Sequence, residues 1–298
     1  MPVKCRFCRQ KAIYPEQRLC AGHLAEFVEK RVDKALGKIL GLEEKKILVA
    51  VSGGKDSMGL AHIMSARGLD MELLHINLGI PDYSGKSQEA VEKFAGGRKL
   101  KLNIIRLGDY GFTVKDFSER QKDFRSNTCS LCGSAKRYLF NKFAFENGFD
   151  FIATAHNLDD FAAFAVMSIS SGDLRYISKV SAVSWPDRER RMAGRVRPYF
   201  YVPEKASILY TLSQGIPYFE GDCPYFSGNR QIEIKTQVAK LEKTAPGFRL
   251  HLVKFARKQG RPEASAPKEC KSCGYPSAVD VCRFCRIREK LGGDVEQA

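Results

Sequence analysis

The sequence predicts an α/β protein in which a doubly wound parallel sheet is flanked by N- and C-terminal zinc-binding modules. Three observations support this fold class. Apolar runs at 47–51, 71–78, 100–107 and 149–155 alternate with stretches of helical spacing, as in βαβ units. A glycine-rich turn joins the first run to a helical pattern, and cysteine-rich segments lie near both ends of the chain.

The composition is that of an ordinary globular protein with a basic surface. The chain has 298 residues, of which 44% are hydrophobic and 28% are charged. A net charge of +15 favours a polyanionic partner over a small neutral one. The sequence shows no apolar run long enough for a bilayer and no signal-peptide pattern, so we expect a cytoplasmic protein without a membrane partner.

The cysteines near the two ends have the spacing of zinc ligands. In a reducing compartment the ten cysteines are expected to stay thiols, which favours metal or redox chemistry over disulfides. Each end supplies four ligands in two short pairs, as tetrahedral Zn²⁺ requires. The predicted zinc ligands are Cys5, Cys8, Cys20 and His23, and Cys270, Cys273, Cys282 and Cys285. We predict a zinc finger over 1–26, a catalytic domain over 27–263 and a zinc ribbon over 264–298, with a linker at 264–267.

The first strand and the turn after it form a candidate phosphate site. The turn reads Ser52-Gly53-Gly54-Lys55-Asp56-Ser57, and its glycines let a phosphate approach the backbone N–H groups. The P-loop of nucleotide hydrolases does not fit, because Val49 replaces its first glycine and Asp56 separates Lys55 from Ser57.

The ends of the other strands supply further candidate site residues, since ligands bind at the carboxyl ends of parallel strands. Asn77 lies near the end of the second strand, and His156 follows the fourth. Asp159 and Asp160 then open a helix. Acidic residues there are explained either as N-terminal caps or, in the case of Asp160, as a magnesium ligand or an acid/base. Helical spacing is also present at 24–40, 87–94, 134–145, 161–168, 207–212 and 229–243.

Three cysteines remain outside the terminal modules. Cys129 and Cys132 form a CxxC pair before a helix, whereas Cys223 lies far along the chain. Three thiolates can hold three irons of a cubane and leave the fourth iron open. Alternatively, Cys129 and Cys223 carry a persulfide or form a transient disulfide. Spacing does not decide between these readings, nor does it exclude plain core cysteines.

A basic stretch at 174–201 interleaves arginines with aromatic residues. Arg190, Arg191 and Arg195 belong to it, and such a mixture suits phosphate contacts combined with stacking on unpaired RNA bases. A solvated charged loop explains the same composition equally well. We nevertheless assign RNA contacts to these three arginines.

The SGGxDS turn resembles the signature of the PP-loop (ATP pyrophosphatase) family. Such enzymes cut ATP between its α and β phosphates and use AMP to activate an oxygen of a second substrate. The order of motifs narrows the resemblance to the tRNA 2-thiouridine synthetases that carry two zinc fingers. The motifs are the terminal CxxC and CxxH pairs, SGGKDS, LGI, CSLCG, HNLDD, RVRP and GDCPY.

The resemblance implies a function and a set of site residues. The catalytic domain would be a PP-loop ATPase that adenylates the C2 oxygen of a tRNA uridine and replaces it with sulfur. It implies a [4Fe-4S] cluster on Cys129, Cys132 and Cys223, and a catalytic role for Lys136 and Asp160 beside Cys129 and Cys223. ATP and Mg²⁺ would bind at the phosphate turn, and two Zn²⁺ in the terminal modules. We assign ATP binding to Ser52, Gly53, Gly54, Lys55, Asp56, Ser57, Asn77 and His156.

The expected partners are tRNA and a sulfur donor, which could be a ubiquitin-like thiocarboxylate carrier protein, a persulfide or sulfide. Whether the chain forms a homodimer is left open. The sequence departs from the family at Ala155, Phe161, Ala163 and Ser170-Ser171, beside the expected active site. Two alternatives are a PP-loop ligase of another type and an RNA-binding zinc-finger protein with a decayed nucleotide site. A ligase does not need the inner cysteines, and a decayed protein does not need an intact SGGKDS.

Overall fold

A central sheet of six strands organises the chain. The computed structural model describes residues 3–124, 126–172, 177, 180–226, 230–259 and 268–292, so parts of the basic stretch and the linker at 264–267 lie outside the described residues. The sheet strands are β1 Ile47–Ala50, β2 Met71–Asn77, β3 Leu102–Arg106, β4 Phe151–Ala153, β5 Val183–Ser184 and β6 Gly194–Val196. Their order is β3-β2-β1-β4-β6-β5.

The sheet is parallel except at one edge. Val49 of β1 pairs with Leu73 of β2 on one side and with Ala153 of β4 on the other. Strand β6 continues the parallel order, whereas β5 pairs with β6 in the antiparallel sense. The predicted doubly wound α/β fold is therefore confirmed, with an antiparallel edge strand that the sequence pattern did not indicate.

Helices cover the sheet and connect its strands. They are α1 Ala21–Leu36, α2 Lys55–Ser65, α3 Ser84–Arg98, α4 Val114–Glu119, α5 Thr128–Glu146, α6 Leu158–Ser170, α7 Glu204–Ser213, α8 Arg230–Thr244, α9 Phe248–Gln259 and α10 Arg283–Leu291. Helix α2 packs closely on α7: a Cβ at Gly59 would lie 2.2 Å from Thr211 Oγ1, so only glycine fits there. The main core contains the apolar side chains of β1, α1 and α2.

The terminal modules differ in how they join this core. Helix α1 begins directly after Cys20, and the predicted ligand His23 lies in its first turn. The C-terminal module contains a short hairpin, β7 Lys268–Glu269 and β8 Pro276–Ser277, followed by α10. Phe284 of α10 stacks on Tyr138 of α5 with ring centroids 4.1 Å apart. The C-terminal module is thereby packed against the helix that carries Cys129 and Cys132.

Several boundaries differ from the sequence predictions. Helix α5 begins at Thr128 rather than at 134, because the Asn127 side chain caps it by accepting from the backbone N–H of Ser130 at 2.9 Å. Cys129 and Cys132 consequently lie in the first turns of α5. Helices α4, α9 and α10 were not predicted. Their lengths, from six to twelve residues, give few turns of periodic pattern.

Candidate active site

The phosphate turn is a strand-to-helix connection held closed by its own serines. The Ser57 hydroxyl donates to the Gly54 carbonyl at 2.9 Å and accepts from the Ser52 backbone N–H at 3.1 Å. Gly53 has φ +83°, and a Cβ there would lie 2.7 Å from the Ser87 carbonyl oxygen. Glycine is therefore required at position 53 by the fold. Gly54 is different, since a Cβ there would come no closer than 3.6 Å to Ser52 Oγ.

Asp56 is the acidic group of this turn, and its environment disfavours the charged form. The carboxylate accepts from Ser207 Oγ at 2.8 Å and from Asn157 Nδ2 at 3.4 Å. Burial raises the pKa of Asp56 to about 6; the Ser207 hydrogen bond opposes this shift, and nearby Glu204 and Asp160 add to it. Asp56 is thus an oxygen ligand that becomes fully available only near neutral pH.

Asp159 and Asp160 have different surroundings, although they are adjacent. Asp159 is buried and accepts from Arg249 Nη1 at 2.7 Å and from the Glu204 backbone N–H at 2.8 Å, which makes it a structural residue. Asp160 forms a capping box with Asn157, accepting from its backbone N–H at 2.9 Å. Capping alone does not account for Asp160, because its other oxygen lies 2.7 Å from Lys235 Nζ and the residue lines a cavity.

One cavity of about 500 Å³ connects the phosphate turn to the inner cysteines. The predicted site residues that line it are Ser52, Asp56, Ser57, Cys129, Cys132, Lys136, His156, Asp160, Arg195 and Cys223. A second cavity of about 630 Å³ lies against the same turn and is lined by Gly54, Lys55 and the segment 218–222. The fold therefore brings the predicted ATP and cysteine sites together.

The inner cysteines converge because segment 218–226 crosses the phosphate turn. The Phe219 backbone N–H donates to the Gly53 carbonyl at 2.8 Å, and four residues later Cys223 reaches the cavity. The Cys129 thiol donates to the Tyr225 carbonyl at 3.4 Å. Burial raises the pKa of both Cys129 and Cys132, while the Lys136 ammonium acts in the opposite direction. These thiols are protonated at neutral pH unless a metal or cluster binds them.

The spacing of the inner cysteines suits a cluster better than a single ion. In the part of the chain that the structure describes, only the two terminal ligand sets bring all of their atoms within 4.8 Å of one another. Cys129, Cys132 and Cys223 share the cavity but are spread more widely. A cubane requires this wider spread, because each thiolate binds a different iron. Three thiols around one cavity are the donor set that a cluster with one open iron position would use.

The two terminal sets have the spacing of single-ion sites. In the N-terminal set, Cys20 Sγ lies 3.1 Å from His23 Nδ1 and 3.6 Å from Cys8 Sγ. In the C-terminal set, Cys273 Sγ lies 3.9 Å from Cys282 Sγ. Ligand atoms at these separations fit around one tetrahedral ion with metal–ligand bonds of about 2.0–2.3 Å. Both sets provide four donors and so leave no open position.

Some predicted residues lie elsewhere. Asn77 does not line the 500 Å³ cavity; its side chain accepts from the Gly79 backbone N–H at 3.0 Å and so fixes the turn after β2. Arg190 and Arg191 lie on the β5–β6 hairpin, where Arg190 pairs with Asp187 and Arg191 pairs with Glu269 of the C-terminal module. ATP binding by Asn77 and tRNA binding by these arginines stay predictions.

Other residues of the site were not singled out by the sequence analysis. Lys235 of α8 contacts Asp160 and Glu204, and Arg197 lies over Phe161 at 5.9 Å from the ring centroid. Phe161 packs against Phe200 with centroids 4.8 Å apart. The pKa of His156 is lowered by desolvation, and Arg197 and Arg195 act in the same direction while Asp160 opposes them. Lys235 lies in no motif, whereas Arg197 belongs to the RVRP motif but was given no role in the sequence analysis.

Comparisons with known proteins agree with this geometry. A sequence model of the PP-loop domain matches residues 24–230. The chain is 36% identical over 296 residues to a tRNA-5-methyluridine(54) 2-sulfurtransferase from Pyrococcus horikoshii, covering 96% of this chain and 93% of that one. It is 33% identical over 319 residues to the tRNA 2-thiolation protein NcsA of Haloferax volcanii, covering 97% and 99%.

A solved structure gives the same result in three dimensions. The U34-tRNA thiolase NcsA from Methanococcus maripaludis, determined with its [4Fe-4S] cluster, superposes with a TM-score of 0.81. The two chains are 27% identical, and the match covers 100% of this chain and 99% of the other. Within the described residues, no helix is long and apolar enough to cross a membrane.

Proposed function

We propose that this chain, which belongs to the PP-loop family and within it to the tRNA 2-sulfurtransferases, replaces the C2 oxygen of a tRNA uridine with sulfur at the expense of ATP. The observation that carries the proposal is the single 500 Å³ cavity shared by Ser52 and Ser57 of the phosphate turn and by three cysteines. A uridine bound in this cavity would have its C2 atom within reach of both the activating and the sulfur-bearing groups. An amide-forming ligase would have no use for the thiols.

The phosphate turn supports the first half of the reaction. The backbone N–H groups at the start of α2 and the Ser52 and Ser57 hydroxyls would hold the pyrophosphate part of ATP. The uridine C2 oxygen then attacks the α-phosphorus, the bond to the β-phosphate oxygen breaks, and pyrophosphate leaves. The C2 oxygen now carries AMP, which is a good leaving group. Both His156 and Asn77 are kept as proposed ATP contacts.

Magnesium would be held on the carboxylate side of the cavity. Asp56 and Asp160 offer the hard oxygen donors that Mg²⁺ prefers, alongside phosphate oxygens. Mg²⁺ would neutralise charge on the phosphates during attack. Lys235 now contacts Asp160, so binding of the ion at Asp160 requires this pair to loosen. Asp160 would act in catalysis as the magnesium ligand, and Lys235 would hold its carboxylate in place until the ion binds.

Lys136 supports the second half of the reaction. In the described chain its ammonium has no hydrogen bond or ion pair, and it lies in the cavity near Cys129 and Cys132. A free cation at this point would stabilise negative charge as sulfur adds to C2 and AMP departs. Lys136 also favours thiolate over thiol at the inner cysteines.

Sulfur would be delivered at the inner cysteines. Cys129, Cys132 and Cys223 would hold a [4Fe-4S] cluster, which would supply an open iron position for sulfide, provided directly or released from a carrier thiocarboxylate by hydrolysis. The alternative carrier is a persulfide on Cys129 or Cys223, which a donor persulfide would load by transferring its outer sulfur and leaving as a thiol. The nucleophilic sulfur forms a bond to C2, and the C2–O bond to AMP breaks. In the persulfide route the thiolate of the other cysteine then attacks the carrier sulfur, the S–S bond to the C2-bound sulfur breaks, and an external thiol reduces the resulting Cys129–Cys223 disulfide before the next turnover. The products are 2-thiouridine, AMP and pyrophosphate.

The terminal modules would be structural zinc sites. Both are closed four-ligand sets in short segments, and segments of that length depend on a metal for folding. The C-terminal module packs on α5, so its zinc would stabilise the helix that carries Cys129 and Cys132. We keep the proposed division into a zinc finger at 1–26, a PP-loop ATPase domain at 27–263 and a zinc ribbon at 264–298.

Arg190 and Arg191 are proposed as tRNA contacts outside the cavity. The oligomeric state is to be measured directly in solution.

The proposal is tested by mass spectrometry of tRNA nucleosides from a strain that lacks this gene. We expect a 2-thiouridine nucleoside to disappear and to return when the gene is restored, but not when a Gly54→Val variant is supplied. Fragments of the T arm and the anticodon arm, digested separately, identify whether position 54 or position 34 is modified. An unchanged set of thiolated nucleosides in the deletion strain would refute the proposal.

A further inference from the structure

The wall of the 500 Å³ cavity carries more positive charge than its own carboxylates balance. Lys136, Arg137 and Arg195 line it, and the acidic residues that line it are Asp56 and Asp160. Asp160 already pairs with Lys235 at 2.7 Å, and the Asp56 carboxylate already accepts from Ser207 Oγ and Asn157 Nδ2. The three cations therefore lack anionic partners within the cavity.

Arg195 reaches the cavity because of its place in the sheet. It is the central residue of β6, pairing with Ile152 of β4 on one side and with Ser184 of β5 on the other. Its neighbours Gly194 and Val196 are buried on the opposite face, where a Cβ at Gly194 would collide with Phe151. Side chains alternate along a strand, so Arg195 projects toward the cavity.

The Arg195 guanidinium differs from the arginines around it, because no residue of the described chain pairs with it. Arg190 and Arg191 pair with carboxylates, and Arg197 donates to the Ser181 carbonyl at 3.0 Å and to Ser184 Oγ at 3.2 Å. For Arg195, the described residues provide neither a hydrogen bond nor an ion pair. A half-buried guanidinium with five unused N–H donors is costly unless a ligand accepts from it.

Arg137 adds a second cation on the same wall. Its Nη2 donates to Ser134 Oγ at 3.3 Å, which leaves most of its donors unused. Burial lowers the pKa of Arg195, and the charge of Arg137 lowers it further. Partial desolvation lowers the pKa of Arg137, which is otherwise exposed, and the charge of Arg283 adds to the effect. Two cations held near each other without an anion form a preorganised anion site.

The triphosphate of ATP does not account for this site. The turn that would cradle the triphosphate offers its own N–H groups, and Lys55 faces the neighbouring cavity. Arg137 and Arg195 share their cavity with Cys129, Gly133 and aromatic side chains, among them Tyr83 and Phe140. Aromatic faces beside a guanidinium suit a splayed-out nucleotide, whose base stacks while its phosphate is bound.

We propose that Arg195, assisted by Arg137, binds the phosphodiester group adjacent to the target uridine inside the cavity. The inference rests on the proposed function and identifies the part of the RNA that this site takes. Arg195 would thus be an inner contact that places the uridine between the phosphate turn and the cysteines. Arg190 and Arg191, by contrast, lie outside the cavity on the hairpin.

The test measures binding of uridine 3′,5′-bisphosphate to the full chain by calorimetry, with saturating ATP and Mg²⁺ present. We expect Arg195→Gln to weaken this binding by roughly tenfold or more, since a charged hydrogen-bonding partner is lost. Arg188→Gln, on the exposed end of the same hairpin, is the matched control and should bind as the parental protein does. Inorganic phosphate should bind far more weakly than the bisphosphate.

Thermal unfolding without ligand separates this role from a structural one. Removing an unpartnered buried cation should leave the Tm of Arg195→Gln unchanged or raise it, whereas loss of a structural contact would lower it. Equal bisphosphate affinity of the parental and Arg195→Gln proteins would overturn the proposal, as would bisphosphate binding that is seen without ATP and lost when ATP is saturating. Both results could occur while the parental protein still thiolates tRNA, so they are distinct from failure of the proposed function.

Discussion

Lys235 Nζ lies 2.7 Å from Asp160 Oδ1 and also 2.8 Å from Glu204 Oε1. A lysine of α8 therefore bridges the start of α6 and the start of α7, beside the phosphate turn. Burial lowers the pKa of Lys235, but the two carboxylates outweigh this effect and raise it overall. Lys235 is thus a fixed cation among Asp56, Asp160 and Glu204.

Replacing Lys235 should shift the pH dependence of ATP cleavage. Lys235 lowers the pKa of Asp56, so Lys235→Met should raise that pKa and move the acidic limb of AMP formation upward by roughly one pH unit. Lys235→Arg keeps the charge and should stay near the parental profile. The measurement is the rate of AMP formation between pH 5 and pH 9. An unshifted pH profile in the methionine variant would show that Lys235 does not control the protonation of Asp56.

Asp56 should make the protein less stable as the pH rises through its titration range. Its pKa is raised from the ordinary value of 3.8 to about 6, so the folded state binds the proton more tightly than the unfolded chain does. Stability then falls between about pH 4 and pH 6 and stays lower above that range. Asp56→Asn should have a higher Tm than the parental protein at pH 7.5 but not at pH 4, and it should not form AMP. A lower Tm of Asp56→Asn than of the parental protein at pH 7.5 would contradict the claim that burying the charged Asp56 carboxylate destabilises the fold.

The two glycines of the phosphate turn should respond differently to substitution. Gly54 has room for a side chain, so Gly54→Val should fold with nearly parental Tm yet block phosphate approach and abolish ATP-dependent AMP formation. Gly53 has neither the room nor a suitable φ, so Gly53→Val should lower the Tm as well. Calorimetric unfolding and AMP release are measured on both variants. Parental AMP release by Gly54→Val would place the ATP site elsewhere.

The inner cysteines should bind iron independently of the terminal zinc sites. Anaerobically prepared and reconstituted protein should contain two zinc and about four iron per chain, as two closed sites and one cubane require. Serine at Cys129, Cys132 or Cys223 should remove the iron and spare both zincs, whereas serine at Cys8 should remove one zinc. Elemental analysis provides the counts. If parental protein that takes up no iron still thiolated tRNA, the cluster hypothesis would be wrong. A persulfide route through Cys129 and Cys223 would then take its place.

Most of the correct sequence predictions concern motifs whose residues lie close together along the chain. The strand, turn and helix at 47–65 and the CxxC and CxxH pairs are contained within short segments, so their spacing reports their geometry. Contacts between distant segments were not predictable. Lys235 meets Asp160 across 75 positions only because α8 packs on α6. Strand β6, three residues long, is too short for its alternation to be read, so Arg195 was not expected inside the cavity.

The most direct test of the central claim is thiolation by the purified protein. Anaerobic, reconstituted protein is mixed with unmodified tRNA transcript, ATP, Mg²⁺ and sulfide, and the digested nucleosides are analysed by mass spectrometry together with AMP. The account predicts 2-thiouridine and AMP in equal amounts, and neither from Gly54→Val. AMP formed without sulfur entering the tRNA, by protein that retains its iron, would contradict it.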